Sequence, residues 1–186
     1  MPFDLDGTLR HKRLERLTRR ADSELAWASD EPLIGGPVIL DTSVYLDVLQ
    51  ARTPDAVDEL LTYRVCHHSA VCLAELTHVF GRLDPAHPST SGVLQTVRDV
   101  IEDIPQHRLQ APDTAIWGEA GMLAGELFRL SGAPKGAGHE RKYLNDALIY
   151  LQARGIGASV LTGNVGDFDF LSQLVPGVPI MLYRQA

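Results

Sequence analysis

The amino-acid sequence predicts an α/β domain: a central parallel sheet of about four to five strands flanked by helices, with an N-terminal helical extension. Three observations carry this. Short apolar runs rich in β-branched residues alternate with segments of helical spacing, and that alternation builds parallel sheets covered on both faces. The 186 residues, 45% hydrophobic and 22% charged, suit one ordinary soluble domain. Acidic residues follow several of the apolar runs, and ligands of such sheets sit beyond the carboxyl ends of their strands.

Residues 1–36 read as an extension, closing on Asp30, Glu31, Pro32 and the breaker Gly35, Gly36, Pro37. Within it RHKRLERLTRR, residues 10–20, carries six basic residues against one acid and predicts a short charged helix. Such a helix either lies solvated on the domain or serves as an arm contacting RNA or a partner. Residues 37–186 form the domain. PVILD (37–41) is a strand ending in an acid, and TSVYLDVLQA a helix facing inward with Val44, Leu46, Val48 and Leu49. RVCHHSAV is a second strand, and CLAELTHVFGRL a helix facing inward with Leu73, Leu76, Val79 and Phe80. Two further helices fall at about 92–104 and 113–130. After the loop SGAPKGAGHERK, the helix LNDALIYLQARG stops at Gly155; ASVLT and PIMLY are the remaining strands.

Composition limits the function. No apolar run approaches the ~20 residues needed to span a bilayer, and no basic-then-apolar leader opens the chain, so a cytoplasmic protein without membrane attachment is expected. Cys66 and Cys72 lie in apolar segments and read as buried structural thiols. The net charge is -7, with six basic residues against seven acids over 1–36 and eleven against seventeen thereafter. That balance is unusual for a nucleic-acid binder, which is expected to present a basic face. A carboxylate metal site accounts for part of it, because bound cations offset its acids.

Acids from four separate segments are placed to meet at one sheet edge. Asp41 ends the first strand, Glu75 lies one turn into a helix after the second, Asp146 lies at the start of a later helix, and Asp167 and Asp169 follow ASVLT. Each has a plainer reading: Asp41 as a helix N-cap, Asp146 as a dipole partner, Glu75 as solvent-facing, Asp167 as a turn residue. Magnesium requires hard oxygen ligands and is commonly held by one or two carboxylates with substrate phosphates. Crowded carboxylates repel one another without a cation. Manganese replacing magnesium in such an oxygen site is more plausible than a histidine site, since the adjacent His67 and His68 point to opposite faces of a strand.

In order, LDTSVYLDVL, SAVCLAELTHVFGRL and LNDALIYLQARGIGASVLTGNVGDFDFL resemble the PIN-domain family, and within it the VapC-type toxins of bacterial toxin–antitoxin pairs. The likeness spans roughly residues 38–184. It implies a magnesium-dependent endoribonuclease that cleaves RNA phosphodiesters with metal-activated water, and a small antitoxin partner. By position it places the catalytic, metal-holding acids on Asp41, Glu75, Asp146 and Asp167, with Asp169 in reserve. Thr42, Ser43 and Thr162 fall on small polar positions beside such sites, with Asn164 orienting a water or phosphate. Lys135, Arg141 and Lys142 precede Asp146 and are candidates for RNA contact. Exposed apolar faces of the first helices suit an antitoxin or a homodimer. Two alternatives stand: a non-catalytic PIN-fold module binding RNA or a partner, and a phosphatase, since FDLDGT (3–8) resembles the haloacid-dehalogenase aspartate motif. The phosphatase motif needs a buried strand before its aspartate, and only Met1, Pro2 and Phe3 precede Asp4.

Overall fold

Five parallel strands form the centre of the molecule. The computed structural model describes residues 4–5, 15–134 and 138–186. Among these residues the strands are β1 (Val38–Leu40), β2 (Cys66–Ser69), β3 (Leu109–Gln110), β4 (Ser159–Thr162) and β5 (Ile180–Leu182), in spatial order β3-β2-β1-β4-β5. Seven helices accompany them: α1 (Thr42–Leu49), α2 (Asp55–Tyr63), α3 (Ala70–Arg82), α4 (Thr90–Glu102), α5 (Thr114–Ser131), α6 (His139–Ile156) and α7 (Val165–Leu174). The predicted α/β class and the parallel sheet are borne out. No helix among the described residues is long and apolar enough to cross a membrane.

The chain places β2 and β3 on one side of β1 and β4 and β5 on the other. The order therefore reverses between β1 and β4, which is where open α/β sheets receive their ligands. Leu40 pairs with Leu161 and with His68, so the carboxyl ends of the three central strands are level. Val38, Ile39 and Leu40 are all buried, as expected of a central strand covered on both faces.

Helix α6 is the pillar against which this edge is built. It is buried almost without interruption from Asp146 to Ala153, a pattern of helices enclosed on all sides. Gln152 accepts from Ser69 Oγ at 2.5 Å and donates to the Gln110 carbonyl at 3.0 Å, tying α6 to β2 and β3. The helix does not stop at Gly155. It runs to Ile156, and Gly157, at φ 67°, supplies the left-handed residue that ends it. It also begins earlier than the sequence predicts, so Asp146 lies about two turns in and is not at a helix start.

Three elements escaped the sequence reading: α2, the two-residue β3, and α7, whose first turn contains the segment read as a turn around Asp167. Facing was also misread in part. Val44 and Leu76 are buried, whereas Leu46, Val48 and Phe80 are exposed and the core face of α3 is Val71, Cys72 and Leu76. Cys66 and Cys72 are buried free thiols; burial, reinforced by Asp41, pushes the Cys72 thiol far up.

The described part of the extension is attached to the domain, not loosely solvated. Leu17, Leu25 and Ala28 are buried. Residues 15–20 are not helical: the Leu17 N–H donates to the Leu130 carbonyl at 3.0 Å instead of to its own turn. Leu182 N–H donates to Ala26 at 3.0 Å and Trp27 bridges Leu182, which covers the otherwise open edge of β5. Arg64, buried, donates to the carbonyls of Pro32 at 2.5 Å, Gly36 at 2.9 Å and Leu33 at 3.0 Å, fixing the segment that leads into β1. Of FDLDGT, only Asp4 and Leu5 lie among the described residues.

Candidate metal centre

Asp41 leaves β1 at the point where the strand order reverses. Its backbone is extended, and its carboxylate caps α1 by accepting from Ser43 N at 3.3 Å. Cap and candidate ligand are thus one residue. The same Oδ2 accepts from Ser43 Oγ at 2.6 Å and from Thr162 Oγ1 at 2.8 Å. Both hydroxyls are themselves aligned by backbone amides, Ser43 Oγ by Gly163 N at 3.0 Å and Thr162 Oγ1 by Asn164 N at 2.9 Å. One oxygen of Asp41 is therefore fixed from both sides of the β1–β4 seam.

Asp146 projects from α6 into the same region. Asp41 is 4% exposed and Asp146 5%. Burial raises both carboxyls above the usual carboxylate range, Asp146 further because Asp41 and Asp167 repel its charge. Asp146 Oδ2 accepts from Asn164 Nδ2 at 3.0 Å, and that amide donates to Asp167 Oδ2 at the same distance. Lys142, one helical turn before Asp146, places Nζ 2.6 Å from Asp167 Oδ2. Burial alone lowers its proton affinity; Asp167, Asp146 and Asp41 outweigh this and hold it above the ordinary lysine value.

Glu75 comes from the second turn of α3. Thr42 Oγ1 donates to its Oε2, and Asn145 Nδ2 donates to its Oε1 at 2.7 Å. Asn145 is a residue that sequence reasoning missed. The adjacent Asp146 was legible as an acid, whereas an asparagine beside it carried no signal before α6 and α3 were seen packed together. Asp41, Glu75 and Asp146 line one cleft of about 370 Å³. Asp169 does not join them: it is 0% exposed and accepts from Arg20 N at 2.9 Å, Arg20 Nε at 2.5 Å and Gln173 Nε2 at 3.0 Å. Arg141 lines a neighbouring apolar groove with His78, Leu46 and Val97, not the cleft. Lys135 lies outside the described residues.

Among the described residues no group of three His, Cys, Asp or Glu side chains is placed to hold an ion. Magnesium does not need one, because it keeps several waters and takes one or two carboxylates with substrate phosphates. Asp41 and Asp146 suit that role: hard oxygens, buried and mutually repelling, with Lys142 as a neighbouring cation.

No known protein-family model matches the chain, and no curated protein matches it. Solved structures do match in fold. They include VapBC2 from Rickettsia felis bound to a DNA fragment from its promoter, with 17% identity, a TM-score of 0.52, and coverage of 78% of this chain and 98% of that one. DNA-bound VapBC from Salmonella typhimurium gives 24% identity and a TM-score of 0.52 over 80% and 98%. FitAcB from Neisseria gonorrhoeae gives 19% and 0.53 over 77% and 96%. The chain thus has the fold of components of VapBC and FitAB complexes, which is the PIN-like architecture its motifs resemble.

Proposed function

We propose that the protein is a magnesium-dependent endoribonuclease, the toxin of a type II toxin–antitoxin pair, acting in the cytoplasm. The observation that carries this is the pairing of Asp41 and Asp146: two buried, mutually repelling carboxylates from β1 and α6, held at the edge where the strand order reverses. A protein gains nothing in stability from such a pair without a cation. The fold shared with VapBC and FitAB chains supports an antitoxin partner, and manganese is expected to replace magnesium.

Asp41 and Asp146 would hold the ion, with Glu75 and Asp167 reaching it directly or through water. Bound there, the cation supplies Lewis-acid stabilisation of charge at the phosphorus centre and makes a nearby water more acidic. The chain's own residues do the positioning. Ser43 and Thr162 keep Asp41 from rotating, Asn164 spaces Asp146 from Asp167, and Thr42 with Asn145 holds Glu75 in one orientation; such partners affect metal affinity nearly as strongly as the ligands do. Lys142 places a positive charge beside the acids, where a phosphate of the RNA would meet it. No side-chain nucleophile is required.

The other reading is a non-catalytic module that binds RNA or a partner. One observation favours it: both oxygens of Glu75 are held by protein donors. Cleavage of a mixed structured-RNA pool by wild type and Asp41→Asn, with magnesium or manganese and with chelator, separates the two. Metal-dependent cutting lost in the variant supports the nuclease. Metal binding without cutting supports the module.

A further inference from the structure

The carboxylate cleft is lined by two cationic side chains. Lys142 is paired with the acids. The other, Arg52, lies three residues beyond the end of α1 and has a different setting.

Arg52 Nη2 donates to Asp47 Oδ1 at 3.1 Å. Asp47, 2% exposed, is anchored in turn by Tyr183 OH at 2.9 Å and Gln185 Nε2 at 2.8 Å. The guanidinium is thus held by a carboxylate that cannot move, although the arginine side chain is 42% exposed. Its Nε is buried with no hydrogen-bond partner among the described residues. That nitrogen is enclosed and does not meet the cleft; the exposed part of the guanidinium, preoriented by Asp47, is a cation suited to an oxyanion.

We propose that Arg52 is a phosphate-binding residue, gripping a backbone phosphate of the RNA strand next to the phosphodiester presented to Asp41 and Asp146. This rests on the nuclease reading. The two positions share one cleft, so a strand laid across the acids brings its neighbouring phosphate along the same wall. The overall charge strengthens the case. With a net charge of -7, the protein has no overall excess of cations to supply non-specific affinity for nucleic acid. A preoriented guanidinium inside the cleft then carries a large share of the backbone recognition.

The test compares wild type with Arg52→Met and Arg52→Lys. Binding of a fluorescent single-stranded RNA of mixed sequence is measured with manganese in the Asp146→Asn background, where cutting is suppressed, across a salt series. KM and kcat are measured in the parent background. Arg52→Met is expected to weaken binding about tenfold and to lower the salt slope by about one phosphate contact. KM should rise with kcat nearly unchanged. Arg52→Lys should keep the salt slope and lose part of the affinity, because it keeps the charge and loses the fork. RNA binding unchanged in both variants overturns the proposal and assigns Arg52 to a protein carboxylate or to the Asp47 anchor alone. A loss of kcat at constant KM overturns it too, as does failure of the reference protein to bind RNA. If Arg52→Met does not fold, Arg52→Lys alone decides. Cleavage by wild type tests the nuclease reading separately, since the binding arm needs no turnover.

Discussion

Asn164 Nδ2 lies 3.0 Å from Asp146 Oδ2 and 3.0 Å from Asp167 Oδ2. One amide, using its two hydrogens, separates two carboxylates that would otherwise repel. Asn164→Asp removes both donors and adds a third like charge. In chelator the variant is expected to melt several degrees below wild type, at about 2–4 °C per kcal/mol lost. Manganese should raise its melting temperature more than it raises that of wild type. Equal shifts in the two proteins would show that Asn164 does not govern the repulsion.

Asp146→Asn is expected to abolish turnover while stabilising the metal-free protein. The folded carboxyl takes up its proton at higher pH than in the unfolded chain, chiefly through burial and then through Asp41. The folded state therefore binds more protons over that window, and wild-type stability falls as pH rises through it. The asparagine has no such dependence. Its advantage should be present at pH 7 and vanish below about pH 4, where the carboxyl is protonated in both states. Melting curves in chelator from pH 4 to 8 check this.

Asp169→Asn addresses the reserve acid. The side chain faces Arg20 and Gln173, so the substitution breaks a buried charged network that ties the extension to α7. A loss of about 2 kcal/mol in urea unfolding is expected, with metal affinity by calorimetry unchanged. Weakened metal binding would return Asp169 to the site.

Gly35→Ala tests the attachment of the segment before β1. A Cβ there would lie 2.3 Å from Arg64 Nη1 and 2.5 Å from its Cζ. The guanidinium must leave its carbonyl partners, at a cost of about 1–3 kcal/mol. Urea unfolding of Gly35→Ala beside Gly36→Ala, where a Cβ meets nothing within 4 Å, isolates the contact; equal stability of the two variants would refute it.

The sequence by itself determined the α/β class, four of the strands and most of the helices, and it singled out Asp41, Glu75 and Asp146, which the fold brings to one cleft. Those features are local: apolar runs specify buried strands, helical spacing specifies helices, and an acid after a strand is carried to the sheet edge wherever the strand lies. It could not see α7, because the two glycines and two aspartates in GNVGDFDF outweigh the inward Phe168 and Leu171 when propensity is read alone. Nor could it choose between Asp167 and Asp169. They are two residues apart, and on a helix that spacing directs them to different faces; one meets Lys142, the other Arg20.

Only the tertiary structure decided what surrounds each acid. Thr162 reaches Asp41 across 121 residues, Asn145 reaches Glu75 across 70, and Gln185 reaches Asp47 across 138. Such partners have no periodicity and no propensity to announce them. They are set by the level ends of β1 and β4 and by α6 packed against both, a register that the whole folded sheet fixes at once.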